Sequence, residues 1–151
     1  MSRAFIKEDD AGSDLPERPV PEGPNYVTPR GLELLRSTAQ DLVARRPKAA
    51  DLKPIDRDLR YLKARIDSAI VVPPGSGPEA RFGAQVTLKD EADALLTFRI
   101  VGEDEARGDD ALVPWSAPLA LAVLGAKVGD NVSWEGPDGT ARYTVAFVTY
   151  P

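Results

Sequence analysis

The 151-residue chain contains no cysteine and no histidine. Without cysteine, disulfides and thiolate chemistry are excluded. Without histidine, the commonest general base, the usual zinc ligand and every Ser-His or Cys-His pair are missing. The chain is therefore not expected to be an enzyme. No catalytic residue, metal site or cofactor is assigned to it. No apolar run approaches the roughly 20 residues of a membrane span. The opening MSRAFIKEDDAG lacks the apolar core of a signal peptide. A cytoplasmic protein is expected.

What is present is an ordinary soluble composition, 42% hydrophobic and 28% charged. The length suits one small domain with a helical appendage. The net charge of −5 is unevenly spread. Residues 1–27 carry −3, residues 28–66 carry +5 and residues 67–151 carry −7. A basic middle in an acidic chain can steer one end toward an anionic surface or channel.

Residues 1–25 read as a disordered acidic leader, rich in Pro, Gly, Asp and Glu over 8–24. Thr28-Pro29 is a helix start, with Thr at the N-cap and Pro at the first helical position. Leu32, Leu35, Ala39 and Leu42 then form a heptad seam, and Ile55, Leu59, Leu62, Ile66 and Ala69 form a second. Two such helices around a Pro-bounded turn predict an antiparallel hairpin over 26–72, a short coiled coil. Residues 73–79 are a linker by composition.

From residue 80 to 151 the period changes to two. Phe82, Ala84, Val86 and Leu88 alternate, as do Phe98 and Ile100. Lys89–Asp93 is a polar hairpin turn. Pro118–Gly125 reads as a short helix, Val132 and Trp134 as a strand, and Pro137-Asp138-Gly139 as a turn. In the last strand Tyr143, Val145, Phe147 and Thr149 share one face. The fold class is α+β, an N-terminal helical hairpin followed by an antiparallel sheet with one helix.

Several short motifs follow one another in this half. They are Phe82-Gly83-Ala84, Thr97-Phe98-Arg99-Ile100-Val101-Gly102-Glu103-Asp104-Glu105, Ser116-Ala117-Pro118-Leu119 and Leu124-Gly125-Ala126-Lys127-Val128-Gly129-Asp130. Their order resembles the C-terminal domain of the GreA/GreB family of bacterial transcription elongation factors. Tyr26-Val27-Thr28 with Gly31, Arg60-Tyr61-Leu62 and Ile70-Val71-Val72 resemble the two ends of that family's hairpin. The resemblance covers about residues 26–150. It implies an FKBP-like C-terminal domain that docks on RNA polymerase at the rim of the secondary channel. It also implies a coiled coil that enters the channel. Acidic residues at the coiled-coil tip of the family help hold a catalytic magnesium, a hard cation that wants oxygen ligands.

At the tip the chain departs from the family. Instead of a Gly-Asp-x-Ser-Glu-Asn-Ala-x-Tyr segment it has Arg45-Arg46-Pro47-Lys48-Ala49-Ala50-Asp51-Leu52-Lys53-Pro54. Each arm is about a dozen residues shorter, a loss of ~15–20 Å of reach at 1.5 Å per residue. Asp51 is one acid among Arg45, Arg46, Lys48 and Lys53, so it reads as a turn residue. The basic tip has no interleaved aromatic for stacking bases. In the docking loop, Trp115-Ser116-Ala117-Pro118-Leu119 keeps the family's proline and apolar residue but not its Asp-Ser pair. Trp115 is either a surface anchor or a core residue. Glu103, Asp104, Glu105, Asp109 and Asp110 read as a solvated loop, because they lack calcium-loop spacing. Together these features predict an RNA polymerase-binding elongation regulator that does not stimulate transcript cleavage. Two alternatives keep the fold: an interaction module of the nucleoside diphosphate kinase regulator type, and a prolyl isomerase.

Overall fold

A computed structural model describes residues 15–151 of the chain. It combines helices with a five-stranded sheet, so the α+β class holds. Two compact units are present. One comprises residues 25–32 and 70–151, the other residues 33–69 with the segment before residue 25. This division differs from a boundary at residues 72–73. The strand and first helical turn at 25–32 belong with the sheet.

In the sheet unit, β1 (Asn25–Val27) and β2 (Ala69–Val71) form a two-stranded sheet. The expected returning helix therefore stops at Ser68, and Ala69 enters a strand. The larger sheet contains β3 (Gln85–Lys89), β4 (Leu95–Val101), β5 (Leu112–Pro114), β6 (Asn131–Gly136) and β7 (Gly139–Thr149). Their order is β5-β4-β3-β7-β6. All pairings are antiparallel except β4 with β5. The turn between β3 and β4 is held by Asp90, whose Oδ1 accepts the N–H groups of Ala92 and Ala94, each at 2.8 Å. A short helix, Pro118–Val123, packs against β5 and β6.

Alternation places Val86, Leu88, Phe98 and Ile100 in the core, where they meet Ala120, Val123 and Val145. The last strand departs from its expected alternation. Thr87 pairs with Phe147 but Leu88 pairs with Val145, so the register slips by one residue at a bulge. A bulge inserts an unpaired residue and re-aims its neighbours. Val145 is 1% exposed, whereas Phe147 is 60% exposed on the other side of the sheet. The expected linker 73–79 has no helix or strand but is stitched to the sheet unit. Tyr150 Oη donates to the Glu79 carbonyl.

In the other unit, α1 (Pro29–Arg45) continues beyond its first turn, and α2 (Lys53–Ser68) follows a 3-10 turn at Arg46–Lys48. Leu35 and Leu42 on α1 and Leu62 on α2 are buried, as the seams predict. Tyr61 and Arg65, which lie off the predicted seam, are also buried, at 3% and 1% exposure. Part of the cover over Tyr61 comes from Arg18, whose guanidinium carbon lies 3.9 Å from the ring centre. The expected disordered leader lies outside the described residues up to residue 14. Residues 15–24 carry no helix or strand, but Glu17 and Arg18 are bonded to α2. Among the described residues no helix is long and apolar enough to cross a membrane.

The short helix Pro118–Val123 is α3.

Candidate docking surface

The segment after β5 is built from the backbone outward. Trp115 N–H donates to the Val101 carbonyl at 2.9 Å, and Ala117 N–H donates to that of Pro114 at 2.9 Å. These bonds turn the chain so that Pro118 starts α3. Ala117 occupies the N-cap with no side chain able to cap. The neighbouring hydroxyl, Ser116 Oγ, instead donates to Glu103 Oε2 at 3.1 Å.

Trp115 lies edge-on to Tyr26, with ring centres 5.1 Å apart, and packs at the margin of the core. Its indole N–H is buried without a hydrogen-bond partner among the described residues, as is that of Trp134. Of the two readings of Trp115, the structure supports the core one. Leu119 also packs against the core. The exposed apolar groups are Leu121 (55%) and Leu124 (38%), with Val128 beyond them. Pro118 and Leu121 are three residues apart and so neighbour one another on one side of the helix, and Leu124 follows as its C-cap. Sequence reasoning missed Leu121 and Leu124. A six-residue helix is too short for its apolar period to show which leucine points inward.

The acidic stretch beside this loop is not simply solvated. Thr28 Oγ1 donates to Glu105 Oε1 at 2.5 Å and accepts the Gly31 N–H at 2.9 Å. Thr28 is thus the expected N-cap of α1, held from its other side by Glu105. A Cβ on Gly31 would lie 2.8 Å from Glu105 Oε1, so the end of that side chain would have to shift to admit one. A Cβ on Gly102 would meet the Tyr26 carbonyl oxygen at 2.6 Å. Asp109 Oδ1 accepts the Ala111 N–H. Among the described residues no group of three acids, histidines or cysteines is arranged to hold a metal ion.

At the tip, Arg45, Arg46, Lys48, Asp51 and Lys53 are all exposed. Asp51 Oδ1 accepts the backbone N–H of Lys53 at 3.0 Å, an ordinary turn cap. Arg46 grips Asp56 with Nε and Nη2 at 2.8 and 3.0 Å. That bidentate bond, with the Coulomb attraction of Arg46 and Arg60, holds the Asp56 carboxyl below its usual pKa against its desolvation. The tip thus carries four cations and two engaged acids, Asp51 and Asp56, while the candidate docking segment belongs to the other unit.

Residues 75–150 match the family described as "Transcription elongation factor, GreA/GreB, C-term". The chain belongs to the GreA/GreB family. The GreB factor of Pseudomonas syringae pv. tomato is 38% identical over 101 residues, which is 66% of this chain and 64% of that protein. The GreA factor of Verminephrobacter eiseniae is 35% identical over 64% of this chain and 63% of its own length. The matched region thus spans just under two thirds of these GreA/GreB relatives. The solved structure of GreA factor homolog 1 from Thermus thermophilus is 23% identical, covering 84% of this chain and 99% of that one, with a TM-score of 0.44.

Proposed function

We propose that this Gre-family chain binds RNA polymerase through its sheet unit and modulates elongation without stimulating transcript cleavage. The unit is read as FKBP-like and as seated at the rim of the secondary channel. The two helices are read as an antiparallel hairpin entering that channel. Two observations support the hairpin. The strand before α1 pairs with the strand after α2, and Arg46 clamps Asp56 across the turn. The chain acts in the cytoplasm and is not itself an enzyme.

One observation carries the loss of cleavage. The tip offers Asp51 and Asp56, and both carboxylates are engaged, one by the Lys53 N–H and the other by Arg46, amid exposed cations. Binding a second magnesium needs hard oxygen ligands with charge to spare. Cations within a few ångströms repel the ion. A factor with this tip occupies the channel without supplying a ligand, and so competes with cleavage-stimulating relatives.

The test is RNA shortening in stalled, backtracked complexes. This protein alone should leave the transcript intact at saturation, and added beforehand it should slow shortening by a GreA or GreB factor. Shortening by this protein alone, abolished by Asp51→Ala, would overturn the reading. Absence of any polymerase binding would favour the interaction-module alternative.

A further inference from the structure

The segment before residue 25 makes an interaction that the polymerase reading does not use. Residues 15–24 include Pro16, Pro19, Pro21 and Pro24. Proline fixes φ near its extended value, so such a segment has little freedom to lose on docking. Between the first two prolines, Glu17 and Arg18 address α2 with opposite charges. Arg60 donates from Nε at 3.0 Å and from Nη2 at 2.5 Å to Glu17 Oε1. Arg18 Nη1 lies 3.5 Å from Asp58 Oδ1, and its guanidinium carbon sits 3.9 Å from the centre of the Tyr61 ring. Acid meets base, base meets acid, and a cation covers a ring. A register in which Glu17 faced Asp58 and Arg18 faced Arg60 would oppose like charges, so the pattern selects one alignment.

We propose that Pro16–Pro19 is a clasp that closes over the Asp58, Arg60 and Tyr61 face of α2 and opens as a unit. The chain's own Pro-Glu-Arg-Pro segment then occupies a recognition surface on the helical unit. Each contact is weak alone. The Glu17 and Arg60 side chains are 62% and 58% exposed, so their pair lies within reach of screening salt. The Debye length falls from about 10 Å at 0.1 M to about 3 Å at 1 M ionic strength. Arg18 and Asp58 are more sheltered, at 27% and 28%. Cation–π contact gains where water is partly excluded. The clasp is therefore closed at low salt and close enough to balance to be opened. Any partner that uses this face of α2 has to displace the clasp first.

The test uses the full chain and proton magnetic resonance. With the clasp closed, the Arg18 guanidinium carbon sits 3.9 Å from the Tyr61 ring centre, so the δ-methylene protons next to the guanidinium shift upfield. The shift should be present at low salt and at least halved in molar salt, with helix content by circular dichroism unchanged. Glu17→Lys should remove most of it at low salt, and Glu17→Lys with Arg60→Glu should restore most of it. Arg18 protons without a ring-current shift in the natural sequence at low salt would overturn the proposal. So would a shift indifferent to both salt and Glu17→Lys. Loss with salt in the unsubstituted protein decides the matter even where the charge-reversed variants fold poorly.

Discussion

Val145 and Phe147 lie two residues apart on β7, yet one is fully inside the core and the other stands in solvent. Strict alternation would set both on one face. The bulge opposite Thr87 and Leu88 separates them. Val145→Ala should therefore destabilise the chain by about 1.5–3 kcal/mol, the scale for removing two buried methyl groups and leaving a cavity. Phe147→Thr should stay within about 0.5 kcal/mol, as for other surface changes. Chemical denaturation of the two variants checks this. Equal losses would mean that the bulge is misplaced.

Gly102 and Gly31 both sit under close neighbours, but the neighbours differ in kind. A Cβ on Gly102 meets backbone, the Tyr26 carbonyl, whereas a Cβ on Gly31 meets the end of the Glu105 side chain. Backbone cannot swing away, so Gly102→Ala should cost about 1–3 kcal/mol, as overpacking does. Gly31→Ala should cost less, and less again when combined with Glu105→Ala. A thermodynamic cycle over Gly31 and Glu105 measures that coupling.

The Arg46 to Asp56 pair carries a pH dependence of known sign. The Asp56 carboxyl has a folded pKa below its unfolded value because Arg46 hydrogen-bonds its ionised form. Its contribution is complete above the unfolded value of about 3.9. It is lost as pH falls through the lower folded value. Thermal melts of the natural chain and Asp56→Asn should differ near neutrality and converge in strong acid. A difference that persists unchanged at the lowest pH would point to a packing effect instead.

Docking through α3 predicts a separation of binding from stability. Leu121 is more than half exposed, so Leu121→Asp should leave the melting temperature within about 2 °C. If this face meets polymerase, the same change should weaken binding to core RNA polymerase by tenfold or more, the scale of a buried apolar anchor. Unchanged affinity would move the docking surface elsewhere on the sheet unit.

How much of this was legible depended on whether the signal was local. The Thr28 cap, the Pro118 helix start and the alternation of Val86, Leu88, Phe98 and Ile100 each rest on neighbouring residues, and each is present. Phe147 was not legible, because a bulge is set by pairing with a distant strand. The burial of Tyr61 was not legible either, since part of its cover comes from Arg18, more than forty residues earlier. At the docking segment the pattern located Pro118 but could not choose between Leu119 and Leu121. Glu103 and Glu105 looked like solvent-facing acids because their partners, Ser116 and Thr28, are brought to them only by the fold.

Both tryptophans, whose buried indole N–H groups have no partner among the described residues, belong to the sheet unit, and Tyr61 is the tyrosine of the helical unit. Indole emission thus reports on one unit and the Tyr61 signal on the other. With the Tyr61 ring resonances resolved from those of Tyr26, Tyr143 and Tyr150 by magnetic resonance, the two units can be followed separately in the natural chain without an added label.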